Sequence, residues 1–129
     1  HDALPISCMV SGLAFGIDHI IPFSNLEGSQ AMKAEGYLIA GERGGEKVEG
    51  FDLGNSPFDY MDGKVVGKKV ATTTTNGTVA IEKSRAALNV IIGAFLNITA
   101  VVNYLKQRDE SVIDLVCRLL LEKKKRRGK

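Results

Sequence analysis

The chain has no tryptophan, two cysteines and few aromatic residues, and each shortage excludes a class of protein. Cys8 and Cys117 are too few for a disulfide-rich secreted scaffold or a four-ligand zinc site. With 6% aromatic residues, the chain does not suit nucleic-acid binding by base stacking. Apolar stretches such as 90–102 are interrupted by glycine or asparagine, and a membrane span needs roughly 20 apolar residues. These exclusions favour one α/β-type domain, which we expect in the cytoplasm.

Basic residues are concentrated at the carboxyl end of the chain. Six of the 17 lysines and arginines lie within residues 123–129, which leaves 11 basic against 15 acidic residues, a balance of −4, in the remainder. Such a run is typical of a solvated, disordered end, and an arm for nucleic acid or a membrane surface is the alternative. We expect neither nucleic acid nor a membrane as partner.

Strand-like and helix-like segments alternate along the middle of the chain. Short apolar runs predict five buried strands, at residues 18–23, 37–40, 69–74, 89–94 and 111–117. Helices are predicted up to Gly16 and over 24–35, 78–87 and 97–108, with Ser24, Thr78 and Asn97 as N-caps. The alternation predicts a mainly parallel sheet with helices on its faces.

Three polar clusters follow predicted strands, after Ala40, Thr74 and Ala94. Ligands of open parallel sheets usually bind beyond the carboxyl ends of the strands, so these clusters are candidate site elements. The glycine-rich stretch 41–67 is long for a connection in a compact domain, and such loops are often functional.

The threonine-rich turn from Thr72 to Thr78 is the most distinctive of these elements. Hydroxyls, the Asn76 amide and the free N–H groups of a following helix converge there, which favours a phosphate or sulfonate oxygen. Gly77 allows a close backbone approach. The same residues also suit a plain β-branched strand that ends in an Asn-Gly turn with a threonine cap. No Walker A pattern occurs in the chain.

Charged and amide side chains in the glycine-rich stretch offer further chemistry. The fork of Arg43 matches a phosphate or sulfonate, and Glu42 suits a hard cation or orients the arginine. Asp52 and Asn55 offer oxygen ligands of the type that magnesium prefers, and Pro57 can begin a helix. Taken singly, the first pair also fits a solvated turn and the second pair a helix-capping loop.

Other residues support no alternative mechanism. Cys117 is expected to be a small core residue at the end of a strand. His19 has no second histidine at metal-ligand spacing, so neither a Ser-His-Asp nor a histidine-metal mechanism is indicated.

Read together, the motifs resemble those of one family. They occur in a fixed order: Gly-Glu-Arg-Gly-Gly at 41–45, Phe-Asp-Leu-Gly-Asn-Ser-Pro at 51–57, Thr-Thr-Asn-Gly-Thr at 74–78, Gly-Ala-Phe-Leu-Asn at 93–97 and Leu-Val-Cys at 115–117. The set is similar to the 2-phosphosulfolactate phosphatase (ComB) family from about Ser11 to Cys117.

The resemblance implies a three-layer α/β/α fold and a magnesium-dependent phosphatase. Its reaction would convert 2-phosphosulfolactate to sulfolactate and phosphate in coenzyme M biosynthesis. The implied catalytic residues are Glu42, Arg43 and Asp52, with Glu42 and Asp52 holding Mg²⁺. The implied substrate-binding residues are Arg43, Asn55, Thr74, Thr75, Asn76, Gly77 and Thr78. A homo-oligomer is compatible with this function.

The ends depart from the family pattern. Residues 1–10 keep Asp2 but lack an arginine expected nearby, and 118–129 show none of the family's continuation. A typical member is about twice as long. We therefore expect a non-native end at 1–10, a partial phosphatase domain at 11–117, and a disordered basic tail at 118–129. An inactive fragment, or a phosphatase for another small anionic ester, is the alternative.

Overall fold

The structure, a computed structural model, describes residues 4–108 of the chain. The helices are α1 (Leu4–Phe15), α2 (Leu26–Ala31), α3 (Thr75–Lys83) and α4 (Ile98–Lys106). The strands are β1 (His19–Phe23), β2 (Leu38–Ala40), β3 (Glu42–Arg43), β4 (Glu46–Lys47) and β5 (Lys69–Thr73). Four 3₁₀ helices cover Met32–Glu35, Pro57–Met61, Gly63–Val65 and Phe95–Asn97. None of the described helices is both long and apolar enough to pass through a bilayer.

The chain divides into two compact units at the junction of Leu96 and Asn97. The first unit contains a parallel sheet with the order β1-β5-β2, so β5 is the central strand. In this sheet Ala71 lies between Ile21 of β1 and Ile39 of β2. The two short strands β3 and β4 form a separate antiparallel hairpin directly after β2. The second unit contains α4 among its described residues.

Buried side chains pack on both faces of the parallel sheet, because successive residues of a strand point to opposite sides. One cluster joins the sheet to α1 and to the 3₁₀ helix Pro57–Met61; its buried members are Cys8, Ile17, Ala40, Leu53, Tyr60, Val65 and Val70. The other cluster contains Ile39 and Ala71, the strand neighbours of Ala40 and Val70, and packs against Leu26 of α2. The predicted α/β fold with a mainly parallel sheet is confirmed, while the full three-layer arrangement stays a prediction.

Several predicted elements are found where the sequence places them. β1, β2 and β5 correspond to the strands predicted at 18–23, 37–40 and 69–74. α1 ends before Gly16, whose φ of 115° is a conformation that favours glycine. α2 continues as a 3₁₀ turn to Glu35 and ends at Gly36, with φ 81°. These boundaries depend on local chemistry, which the sequence displays directly.

Two predicted N-caps are wrong by a shift of register. α2 is capped by Asn25, not Ser24, because the side chain of Asn25 accepts the Gly28 N–H at 2.7 Å. α3 begins at Thr75 and ends at Lys83, so Thr78 lies inside its first turn instead of capping it. The reason is that β5 passes almost directly into α3: the Thr74 N–H still bonds to the Phe23 carbonyl at 3.3 Å.

The strand predicted at 89–94 is also wrong, because these residues form no regular element and are mostly exposed. Val90 keeps 52% and Ile91 41% of its surface exposed, whereas a strand of a covered sheet is buried on both faces. Asn97 does occupy the N-cap position of α4, yet its side chain makes no capping hydrogen bond there. The strand predicted at 111–117, Cys117 and the basic tail lie outside the described residues.

The buried Cys8 thiol and the buried Tyr60 hydroxyl predict that the folded chain loses stability at alkaline pH. Burial raises the pKa of Cys8 from 9.0 to about 12, helped by the charge of Asp59, and burial also raises the pKa of Tyr60. Above pH 9.0 the unfolded chain releases the Cys8 proton while the folded chain keeps it, so folding stability is complete below that pH and falls as the pH rises towards 12.

Urea unfolding midpoints measured between about pH 7 and about pH 10.5 check this expectation. The midpoint should decrease across the upper part of that range. In Cys8→Ala the midpoint should decrease less steeply with pH, because only the contribution of the Tyr60 hydroxyl remains. A midpoint that stays constant in the unmodified chain would contradict the argument.

Candidate functional site

The candidate site is built on the carboxyl ends of two neighbouring parallel strands. Ala40 at the end of β2 lies opposite Thr72 of β5, and each strand is followed at once by a predicted site segment. Glu42 and Arg43 follow β2, and α3 begins at Thr75 after β5. The structure therefore brings together, at one edge of the sheet, the elements that carry these two clusters. Ala94, which precedes the third predicted cluster, follows no strand among the described residues.

Arg43 is presented on a tight hairpin. Residues Glu42 and Arg43 pair with Lys47 and Glu46, and the turn uses Gly44 and Gly45 at φ 63° and 89°. One carboxylate oxygen of Glu42 accepts the Gly45 N–H at 2.6 Å and so fixes the turn. The side chain of Arg43 is exposed. The hairpin thus holds a guanidinium in solvent close to the end of β2.

Asp52 serves as a partner for the outer edge of β2. Its Oδ2 accepts the Ile39 N–H at 2.8 Å, and its own N–H donates to the Ile39 carbonyl at the same distance. The next residue, Leu53, forms a parallel bridge with Ala40. A side chain and a two-residue segment therefore take the place of a neighbouring strand here. The hydrogen bond to Ile39 uses one of the two carboxylate oxygens of Asp52.

Asn55 follows in the same loop and faces the interior on one side. Its Oδ1 lies 4.0 Å from the Cys8 thiol, which donates to it weakly. Pro57 begins a 3₁₀ helix as predicted, capped by Ser56, whose hydroxyl accepts the Phe58 N–H at 3.3 Å. Asp59 steadies the loop by accepting the Gly54 N–H at 3.0 Å. This loop does cap a helix, as the alternative interpretation predicts, but the capping residue is Ser56. Asn55 is therefore not needed as a cap, and a binding role for it stays a prediction.

The end of β5 is held by hydroxyl contacts that the sequence does not reveal. Thr72 and Tyr60 hydroxyls lie 3.5 Å apart on one face of the sheet. On the other face, the Thr73 and Ser29 hydroxyls lie 2.6 Å apart, and Ser29 is fully buried. Thr74, the first residue of the predicted anion turn, is 8% exposed. The run of threonines in the sequence indicates hydroxyls on both faces of the strand. It does not indicate their partners, Tyr60 and Ser29, which lie far away in the sequence.

The backbone of the remaining predicted anion-binding residues lies at the start of α3. Thr75, Asn76, Gly77 and Thr78 form the first turn of α3, which follows the buried Thr74 after β5. The N–H groups of a first helical turn have no partner within the helix and carry the positive end of its dipole. The backbone at this position is therefore suited to an anion.

Glu42 and Asp52 are the carboxylates among the predicted site residues, and so the candidate metal ligands. Within the described range 4–108, no group of three or more histidine, cysteine, aspartate or glutamate side chains can hold a metal ion. Glu42 and Asp52 each bond one carboxylate oxygen to a backbone N–H, so the other oxygen is chemically able to bind a cation. Carboxylate oxygens are the ligand type that magnesium prefers, and a protein commonly binds Mg²⁺ through one or two carboxylates while the ion keeps several waters.

Comparison with known proteins decides the family. A family model described as 2-phosphosulpholactate phosphatase matches residues 4–119. The chain belongs to the 2-phosphosulfolactate phosphatase family. This confirms the resemblance of the motifs, whose order and spacing carried it in the sequence.

Curated members of the 2-phosphosulfolactate phosphatase family are similar over most of this chain. A probable 2-phosphosulfolactate phosphatase of Thermotoga maritima is 46% identical over 111 residues, which are 86% of this chain and 48% of that protein. A protein of the same description from Caldanaerobacter subterraneus is 40% identical over 115 residues, with 86% and 47% covered. The chain thus spans about half the length of the curated relatives that it matches.

Proposed function

We propose that this chain acts in the hydrolysis of 2-phosphosulfolactate to sulfolactate and phosphate. The proposal is supported by the family of this chain and by relatives such as the probable 2-phosphosulfolactate phosphatase of Thermotoga maritima. The observation that carries it is the shared edge of β2 and β5, where an exposed arginine hairpin and a helix N-terminus follow adjacent strands. The same proposal places the reaction in coenzyme M biosynthesis and in the cytoplasm. It also includes the formation of homo-oligomers by this chain.

The proposed substrate demands several anion-binding groups, since it carries a phosphate, a sulfonate and a carboxylate. Arg43 can form two parallel hydrogen bonds to a phosphate or sulfonate. The first turn of α3, from Thr75 to Thr78, supplies backbone N–H donors, and Thr74 precedes it. In this proposal the Asn55 amide donates to a third group of oxygens. Positive and dipolar groups held in advance stabilise charge that builds up on the phosphoryl oxygens.

We further propose that Glu42 and Asp52 hold a magnesium ion through the carboxylate oxygens not bonded to the backbone. A bound Mg²⁺ would supply polarisation of the phosphoryl oxygens. The backbone N–H bonds at 2.6 Å and 2.8 Å keep both carboxylates oriented. Arg43 follows Glu42 directly in β3, so one hairpin turn positions the backbone of both residues.

Phosphate release from 2-phosphosulfolactate tests the proposal. We expect release by this chain in the presence of magnesium and none after a chelator is added. The Thermotoga maritima relative, assayed alongside, shows whether the substrate and assay are sound. A folded, monodisperse sample of this chain that releases no phosphate while the relative does would contradict the activity. Release unaffected by the chelator would contradict the magnesium requirement alone.

A further inference from the structure

A hydrogen-bonded chain of ionisable side chains lies at the opposite, amino-terminal edge of the sheet. His19 is the first residue of β1, Tyr37 directly precedes β2, and Lys69 begins the central strand β5. The His19 Nδ1 lies 2.7 Å from the Asp18 carboxylate, and its Nε2 lies 2.9 Å from the Tyr37 hydroxyl. None of these residues belongs to the site described above.

We assign the tautomer of His19 from the partners of its two ring nitrogens. An ionised carboxylate can only accept, so Asp18 selects the tautomer of His19 that carries its proton on Nδ1. The Nε2 atom then has a lone pair and accepts the hydrogen bond donated by Tyr37. The result is a carboxylate, an imidazole and a hydroxyl in series. In such a series a base oriented by a third group draws the proton from a nucleophile.

The surroundings of Tyr37 keep its hydroxyl in place and reachable. Its ring packs against the cluster around Ile39 and Ala71 and meets the His19 ring edge-on, with ring centres 5.5 Å apart. The Lys69 ammonium lies 4.8 Å from the centre of the tyrosine ring, a cation–π contact that helps to hold the ring in place. Tyr37 is half-buried, and the His19 and Asp18 side chains are 42% and 64% exposed, so the hydrogen-bonded chain is open to solvent on the His19–Asp18 side.

We propose that the Tyr37 hydroxyl is a reactive acceptor for activated acyl groups. In the step, the Tyr37 oxygen forms a bond to the acyl carbon, and the bond between that carbon and its leaving group breaks. The leaving group departs with the electron pair, while the Tyr37 proton passes to Nε2 of His19 and from there to the leaving group. The products are an O-acyl tyrosine and the protonated leaving group.

The chain contains its own reference residues, because it has three tyrosines. Tyr104 is 38% exposed and has the Arg108 guanidinium 4.8 Å from its ring centre. Like Tyr37 it therefore has a cation over the ring, but no histidine bonds to it within the part of the chain that the structure describes. Tyr60 is 2% exposed and reports on folding.

Acetylation with N-acetylimidazole, followed by peptide mapping over time, tests the proposal on the full chain. We expect Tyr37 to react about tenfold faster than Tyr104, or more, because general-base assistance acts on Tyr37 alone. Tyr60 should stay unmodified until urea is added. Reversal by hydroxylamine distinguishes the O-acetyl tyrosine from acetylated lysine. Equal or slower labelling of Tyr37 relative to Tyr104 would overturn the proposal.

Two substitutions separate base assistance from simple exposure. His19→Gln should lower the Tyr37 rate to that of Tyr104, since glutamine is not a base at this position. Asp18→Asn should lower it in part, because the imidazole loses the group that orients it. In both variants Tyr60 must remain unlabelled, which shows that the fold is kept. If Tyr60 becomes labelled in His19→Gln, the test rests on Asp18→Asn, because Asp18 lies on the surface and its replacement disturbs the fold least. A Tyr37 rate unchanged in the folded variants would refute the role of His19.

Discussion

Replacing Arg43 by alanine is expected to lower kcat/KM for 2-phosphosulfolactate by about 10²- to 10³-fold, the typical cost of removing one preorganised donor to a charged transition state. The dissociation constant for this substrate should rise as well, because Arg43 also binds the ground-state anion. The side chain is exposed on the β3–β4 hairpin, so its removal leaves the core untouched. Phosphate release gives the first quantity and titration calorimetry the second.

Two control variants separate the effect of net charge from the effect of the guanidinium at position 43. Lys64→Ala removes a cation that is 50% exposed and belongs to the turn Gly63–Val65, near the amino end of β5. It should leave both quantities unchanged. Arg43→Lys keeps the charge but loses the two-pronged geometry, and should fall between the alanine variant and the unmodified chain. If Lys64→Ala were as damaging as Arg43→Ala, a general effect of net charge would replace the specific one.

Replacing Asp52 is expected to separate its structural role from its proposed catalytic one. Asp52→Ala leaves the Ile39 N–H, in a residue 1% exposed, without its acceptor and should lower the free energy of unfolding by about 1–3 kcal/mol. Asp52→Asn keeps an oxygen at the same place and should retain most of that stability. Because the amide has no negative charge for a magnesium ion, the asparagine variant should nevertheless lose phosphatase activity.

Urea unfolding and phosphate release on the two Asp52 variants measure these effects independently. The expected pattern is an alanine variant that loses stability and activity and an asparagine variant that loses activity alone. Full activity in Asp52→Asn would remove Asp52 from the proposed magnesium ligands and leave it the structural role at Ile39. Equal stability of Asp52→Ala and the unmodified chain would contradict the hydrogen bond as a stabilising contact.

The sequence predicts elements whose cause is local. Glycines with positive φ end the first two helices, at Gly16 and Gly36, and short apolar runs identify β1, β2 and β5. The edge shared by the Arg43 hairpin and the start of α3 also follows from the sequence, because parallel strands end on the same side. The family motifs identify the family for the same reason, because they are contiguous stretches that occur in a fixed order along the chain.

Features that depend on distant partners were missed. Asp52 pairs with Ile39, Thr73 with Ser29, and His19 with Tyr37, and no spacing rule connects these residues. The run at 89–94 is apolar enough for a strand, yet it is mostly exposed, because apolar composition alone does not place a segment inside a covered sheet. Ser24 and Asn25 are both good caps, and the register of the helix decided between them.

The two hydroxyl contacts at the end of β5 have a mechanical consequence. Thr72 is tied to Tyr60 on one face of the sheet and Thr73 to Ser29 on the other, so the strand cannot rotate about its own axis without breaking one of them. Thr74 and the start of α3 inherit this rigidity, because they follow immediately in the chain. If the proposed anion site forms here, the entropy of ordering the helix start is lost when the chain folds and not when the anion binds.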